Sequence, residues 1–221
     1  MSSDFTAAEG DMRTWIAPGR TALVVVDMQT DFASPEGAMG RAGADLSAVP
    51  AALAAAQRLA DAARAAGVPV VFVGLMTSAE DDSAAWAERM RRQGGDQGGD
   101  PAEALALCRA GTLGAAFVGP IPLVGEPVVG KLRYSGFFRT DLDAHLQRLG
   151  VDTLVIAGVT TDCRVDCTVR DAFHLDYHVF VAADACAAYE PGLHEATLKA
   201  LALNFAIVVP ADAVVAAWGK A

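Results

Sequence analysis

Short apolar runs alternate along this chain with longer segments in which apolar positions recur at helical spacing. Runs rich in Val, Ile and Leu are typical of strands buried on both faces of a parallel sheet. They occur at 21–26, 68–73, 127–130, 153–157, 177–182 and 205–209, and helical spacing occurs at 46–66, 141–149, 160–175, 193–203 and the C-terminal end. This alternation predicts right-handed crossovers and an α/β fold, a three-layer sandwich with a parallel sheet.

Two segments fall outside this alternation. Residues 1–20 are polar and contain Gly10, Pro18 and Gly19, so we predict an N-terminal arm followed by a single domain over 21–221. Residues 78–104 are hydrophilic and include GGDQGGDP. That glycine content predicts an irregular surface segment near the mouth of a site, either a lid or a disordered loop.

Composition and charge limit the kinds of partner. The chain has 221 residues, of which 53% are hydrophobic and 20% charged, with a net charge of −10 and a pI near 4.7. An acidic surface argues against nucleic acid and anionic membranes as partners, so we expect a small-molecule substrate. The chain has neither a signal-peptide pattern nor an apolar run that would span a bilayer, and its four cysteines are irregularly spaced. These features predict a cytoplasmic protein with free thiols.

Residues suited to catalysis follow the ends of three predicted strands. Asp27 follows the first strand, Lys131 follows the third, and the helix that begins after 153–157 carries Cys163 and Cys167. Ligands bind at the carboxyl ends of strands in such sheets, although Asp27 could instead cap the next turn. A cysteine that attacks an amide must lose its proton, which a carboxylate can shuttle while a lysine holds the thiolate charge.

Several motifs give this chain a family resemblance. VVVDMQTDF, GTLGAAF, KLRYSGFFRTDL, GVTTDCRVDCTVRDA and DACAAYEPGLHEATL resemble the isochorismatase-like cysteine hydrolases, nearest the amidases of ureido and carbamoyl compounds such as ureidoacrylate and biuret hydrolases. The resemblance implies a Rossmann-like, six-stranded parallel sheet. It also implies that Asp27 shuttles a proton, that Lys131 is its cationic partner, and that a cis peptide at Val159-Thr160 directs backbone N–H groups into an oxyanion hole.

The nucleophile position departs from the family pattern. The family places its cysteine six residues after the glycine of GVxTxxC, and counting from Gly158 this position holds Arg164. Arginine cannot be deprotonated in proteins and is therefore neither a nucleophile nor a base. Cys163 lies one residue earlier, about 100° away on a helix, and Cys167 shares the face of Cys163. We interpret Cys167 as a core residue rather than a second thiol of the site.

Three hypotheses remain open for Arg164. In the first, the nucleophile has been lost. In the second, the helix begins one residue out of register, so that Cys163 is the nucleophile. In the third, the reaction needs no nucleophile, as in isochorismatase proper: Asp27 of this chain would protonate a vinyl ether, and Arg164 would hold an acidic substrate. We predict that Asp27, Lys131 and the side chain at 164 lie within about 8 Å of one another. Arg164 should then either turn onto Asp27 or hold a carboxylate bidentately.

Further residues are candidates for substrate binding. Gln29 and Phe32 follow Asp27, and Tyr134 and Phe137 follow Lys131, although core aromatic residues would give the same pattern. Leu113 replaces a tryptophan that near relatives commonly carry, which would alter a pocket wall. The predicted function is hydrolysis of a small amide, ureido or carbamoyl compound, and the alternative is a nucleophile-deficient homologue that binds a small acidic ligand.

We predict neither a metal nor another cofactor. The metal-binding relatives, the nicotinamidases, place an aspartate and histidines after the second strand, whereas GLMTSAEDD has no histidine here. All four histidines lie in the second half of the chain without ligand spacing. We also expect a homodimer or homotetramer.

Overall fold

A computed structural model describes residues 12–94 and 106–219 of the chain. Its centre is a six-stranded sheet in the order β3-β2-β1-β4-β5-β6, and all neighbouring strands are parallel. The strands are β1 Thr21–Val26, β2 Val70–Leu75, β3 Val128–Lys131, β4 Thr153–Val159, β5 His178–Ala187 and β6 Ile207–Val209. Helices cover both faces, so the predicted α/β sandwich is confirmed.

Each face of the sheet packs against a separate layer of helices. Successive side chains of a strand point to opposite faces, so Val25 belongs to one core cluster and Val24 to the other. The helices are α1 Met12–Trp15, α2 Thr30–Ala33, α3 Ala38–Arg41, α4 Val49–Ala66, α5 Ala84–Gly94, α6 Leu142–Arg148, α7 Asp166–His174, α8 Pro191–Asn204 and α9 Ala211–Trp218. Helix α4 ends where Gly67 adopts the left-handed conformation (φ 75°), as a glycine readily does.

The described part of the predicted arm packs on the domain. Met12 and Ile16 are buried in the core, and the indole N–H of Trp218 donates a hydrogen bond to the Ile16 carbonyl at 2.8 Å. These two apolar residues lie four positions apart, one turn of a helix, and so face the same side. Residues 1–11 lie outside the described part of the chain.

The hydrophilic segment after β2 is more regular than its sequence suggests. It contains a 3₁₀ turn, Ala79–Asp81, and helix α5, whose first turn is capped by Ser83 accepting a hydrogen bond from the Trp86 N–H at 3.2 Å. Alanine, arginine and glutamate favour the helix, and the glycines that suggested irregularity begin only at its end. The predicted choice between a lid and a disordered loop falls partly on residues 95–105, which are outside the described residues.

Strand β2 also differs from the prediction, because it begins at Val70 and continues to Leu75 rather than spanning 68–73. The extra length brings the Leu75 backbone beside the end of β1, where it contacts Asp27 and Gln29. Among the described residues, we find no helix that combines the length and hydropathy needed to cross a bilayer.

Candidate active site

The three side chains singled out at strand ends lie together in the structure. Strand β1 lies at the centre of the sheet, with β2 and β3 on one side of it and β4 to β6 on the other. This reversal of strand order opens a crevice at the carboxyl ends of β1 and β4, the usual ligand site of such sheets. Asp27 follows β1, Lys131 ends β3, and Arg164 lies in the helical turn after β4.

Asp27 is held by two hydrogen bonds and an ion pair, and it is 0% exposed. Its Oδ1 accepts a hydrogen bond from the Leu75 N–H at 2.9 Å, and its Oδ2 accepts one from Lys131 Nζ at 2.6 Å. The same Oδ2 lies 3.2 Å from Arg164 Nε. The backbone of Asp27 has φ 50°, a conformation uncommon outside glycine and one that aspartate adopts more readily than most residues. Both carboxylate oxygens are therefore engaged and covered.

Lys131 is the deepest cation of the site, with 1% of its surface exposed. Its Nζ donates to the Arg133 carbonyl at 3.0 Å in addition to Asp27. Burial lowers the pKa of Lys131, while the carboxylate of Asp27 acts in the opposite direction by favouring the charged form. The ammonium is thus stabilised mainly by one carboxylate.

A wide first turn directs Arg164 into the site. Residues Thr161–Val165 form a π-helical turn before α7, and the Thr160 carbonyl accepts hydrogen bonds from the N–H groups of Cys163, Arg164 and Val165. The Arg164 guanidinium lies over the Phe32 ring, 3.8 Å from its centroid. In the described chain no residue accepts a hydrogen bond from its two terminal nitrogens. Arg164 therefore covers Asp27 with its Nε, and the two terminal nitrogens of its guanidinium remain able to donate hydrogen bonds to a ligand.

The peptide bond that precedes this turn is cis, at Val159-Thr160, as the resemblance implied. Before it, Gly158 pairs with Val26 across β1 and β4, and a Cβ at this glycine would clash with the Val26 carbonyl oxygen. After it, Thr161 Oγ1 and His194 Nδ1 share a hydrogen bond of 2.8 Å. Burial lowers the pKa of His194.

No cysteine lines the cavity beside Arg164 and Lys131. All four thiols are free, as predicted. Burial raises the pKa of Cys163 to about 11 and also raises that of Cys167. Cys108 is fully buried, and burial raises its pKa well above the usual range. Cys163 thus lies outside the lining of this cavity, although the charges of Arg164 and Lys131 act on its thiol by lowering its pKa against the effect of burial.

A cavity of about 110 Å³ opens beside the charged cluster. Lys131, Arg164 and Tyr134 line it, together with Asp82, Ser83 and Trp86 from the segment after β2. A dry cavity of about 150 Å³ holds benzene, so this partly open one is of the size that receives part or all of a small organic compound. The part of the chain that the structure describes contains no group of three or more His, Cys, Asp or Glu side chains placed to hold a metal.

Of the predicted substrate-binding residues, only Tyr134 lines the cavity. Gln29 is fully buried, and its amide is used by backbone groups of Leu75 and Ala115. The Phe32 ring packs against the Arg164 guanidinium. Phe137 packs against Tyr177, with ring centroids 5.9 Å apart.

Leu113, expected to form a pocket wall, is 85% exposed and does not line the cavity. It lies in a short 3₁₀ turn, Leu113–Ala115, at the surface. Trp86 and Asp82, which the sequence did not single out as site residues, do line the cavity. A lone tryptophan in an otherwise hydrophilic segment was the signal that could have identified this wall.

Comparison with known proteins decides the family. A family model described as the isochorismatase domain matches residues 21–213. The chain belongs to the isochorismatase family. A ureidoacrylate amidohydrolase from Methylobacterium radiotolerans is 36% identical over 215 residues, which cover 91% of this chain and 81% of the relative. Another from Stutzerimonas stutzeri is 37% identical over 177 residues, 75% of this chain and 68% of the relative.

Solved structures of similar fold agree with this assignment. A cysteine hydrolase from Pseudomonas syringae pv. phaseolicola has a TM-score of 0.77 and 27% identity, over 99% of this chain and 98% of that one. N-carbamoylsarcosine amidase from Thermoplasma acidophilum has a TM-score of 0.66 and 27% identity, over 87% and 97%. The membership predicted from the motifs is confirmed, and this protein is a hydrolase of that family.

Proposed function

We propose that this protein acts on small amide or ureido compounds that carry a carboxylate, at the site formed by Asp27, Lys131 and Arg164. Support for the substrate class comes from the names of the relatives, since ureidoacrylate and N-carbamoylsarcosine each combine a carbamoyl group with a carboxylate. The charges around Asp27 also support it, because two cations, Lys131 and Arg164, share the single carboxylate of this residue. An anionic ligand would complete the charge balance.

The proposed reaction uses water in place of a thiol. Asp27 takes a proton from water as the oxygen adds to the carbonyl carbon, and Lys131 and Arg164 stabilise the negative charge that develops on the carbonyl oxygen. The carbon–nitrogen bond then breaks, and Asp27 returns the proton to the leaving nitrogen. Arg164 must first move off Asp27, because the carboxylate is 0% exposed while the two are paired.

One observation carries this proposal: Arg164 Nε lies 3.2 Å from Asp27 Oδ2, at the position where the family places its cysteine. We therefore expect slow turnover, at least about a hundredfold below the roughly 10 s⁻¹ of a median enzyme. Ammonia release from ureidoacrylate and N-carbamoylsarcosine tests this, with Asp27→Ala as the background. Turnover near the median value would refute the assigned role of Arg164.

A second candidate function is binding without turnover. The outer edge of the Arg164 guanidinium favours it, since a planar fork of this kind can hold a carboxylate bidentately. Calorimetric titration of N-carbamoylsarcosine separates the two functions. Binding without ammonia release above the Asp27→Ala background would support the second, and turnover above that background would support the first.

A further inference from the structure

One wall of the cavity is formed by residues 77–86, which we call the wall segment. Its side chains Thr77, Asp81, Asp82, Ser83 and Trp86 line the cavity together with the cations Lys131, Arg133 and Arg164. Apart from the 3₁₀ turn and the first residues of α5, the wall segment has no regular structure. Its placement must therefore come from contacts with other parts of the chain.

A single side chain, Arg109, makes many of these contacts. Its Nη1 donates to the Ser78 carbonyl at 2.6 Å, to Asp82 Oδ1 at 2.7 Å and to Thr77 Oγ1 at 3.2 Å. Its Nη2 donates to Asp82 Oδ2 at 2.7 Å, which completes a bidentate pair. Arginine is suited to this role because its planar fork matches a carboxylate and leaves further donors for the backbone.

The segment that carries Arg109 is anchored to the buried site. The Cys108 N–H donates to Asp31 Oδ2 at 2.7 Å, and Asp31 is buried in α2, directly after β1. The Thr77 N–H in turn donates to the Cys108 carbonyl at 3.1 Å. Arg109 is thus held on a fixed support, from which it reaches the wall segment.

Asp82 also affects the charge of the cavity. Its side chain is 23% exposed and lines the same cavity as Asp81 and the cations Lys131, Arg133 and Arg164. Arg109, 22% exposed, neutralises it from behind the wall and does not itself line the cavity. In so small a cavity any carboxylate of a ligand lies within the screening length of about 8 Å, so an unpaired Asp82 would repel it.

We propose that Arg109 is a positioning and specificity-determining residue of this site: it fixes the wall segment and cancels the charge of Asp82, so that the cavity accepts an anionic ligand. This inference rests on the proposed function, which supplies the carboxylate-bearing ligand. It assigns two separable effects to one residue, since the charge acts only on anionic ligands and the placement of the wall acts on all of them.

The test compares two probes, N-carbamoylsarcosine and its neutral methyl ester, by calorimetric titration of the full chain. Arg109→Gln should lower the affinity for the acid about tenfold relative to the affinity for the ester. Asp82→Asn should raise the affinity for the acid about fivefold relative to the ester. The double variant should restore the ratio to within about twofold of the unmodified protein. Arg109→Lys keeps the charge but loses the fork, so it should weaken both probes and preserve their ratio.

Arg64→Gln is the matched control. Arg64 forms an equally bidentate, part-buried pair with Glu126, at 2.8 and 2.9 Å, and neither residue lines the cavity. Its removal should leave the ratio of acid to ester unchanged. If Arg109→Gln does not fold, Asp82→Asn alone decides, because it leaves Arg109 in place.

Failure of the inference differs from failure of the proposed function. If the unmodified chain binds neither probe, both are overturned. If it binds the acid but Asp82→Asn and Arg109→Gln leave the ratio unchanged, the inference is overturned and the proposed function stands. Opposite shifts in the two single variants, with recovery in the double variant, would support the inference.

Discussion

The substitution Asp27→Asn removes the one carboxylate that two buried cations share. Asparagine would place its NH₂ group against either Lys131 Nζ or the Leu75 N–H, depending on the orientation of the amide, and both are donors. The ammonium of Lys131, 1% exposed, would be left without its anion. Breaking a buried pair from one side costs about 3–5 kcal/mol, and we expect the free energy of unfolding to fall by that amount.

The control adds Lys131→Met to Asp27→Asn. Removing the stranded ammonium should recover at least about 1 kcal/mol, because a buried pair replaced on both sides costs less than one broken on a single side. Urea unfolding followed by circular dichroism gives both values, provided that the slope with denaturant is unchanged. A loss below about 1 kcal/mol for Asp27→Asn, or further destabilisation by Lys131→Met, would refute this description of the site.

Three further predictions concern the end of β4, the turn after it and the histidine of α8 that contacts this turn. Iodoacetamide should modify Cys163 slowly at neutral pH and faster as the pH approaches its raised pKa of about 11, as mass spectrometry would show, and rapid labelling at pH 7 would contradict this. Gly158→Ala should destabilise the protein by at least about 2 kcal/mol in urea unfolding, because its Cβ meets the Val26 carbonyl, and a neutral effect would exclude that close approach. The pKa of His194 is lowered in the folded protein, so on acidification this histidine is protonated first in the unfolded chain. The free energy of unfolding therefore falls as the pH drops below 6.5, the ordinary pKa of histidine. His194→Gln should flatten that decline in unfolding free energies measured against pH, and an unchanged slope would show that His194 does not contribute.

The strand-end residues could be predicted because their positions follow from the topology. A parallel sheet brings the carboxyl ends of its strands to one edge, so Asp27 and Lys131 were expected to meet although 104 residues separate them. The orientation of Arg164 was predictable only in part, because the need for an anion beside two cations left two arrangements open. Of its two predicted arrangements, the structure shows the turn onto Asp27.

The remaining parts of the site depend on contacts that no local pattern encodes. Gln29 resembles a ligand-binding residue in sequence, but backbone groups of Leu75 and Ala115 use its amide. The pair between Arg109 and Asp82 joins two loops 27 positions apart. Leu113 was expected at a pocket wall by analogy, and its exposure depends on how the surrounding loop packs.

We propose that Arg164, which covers Asp27, occupies the position of the thiol nucleophile. Ammonia release from ureidoacrylate by the unmodified chain, Arg164→Cys and Arg164→Ala tests it most directly, since alanine uncovers Asp27 without adding a thiol. We expect Arg164→Cys to exceed the unmodified chain by at least about a hundredfold, with Arg164→Ala between them. Efficient release by the unmodified chain that Cys163→Ala abolishes would contradict the claim and identify Cys163 as the nucleophile.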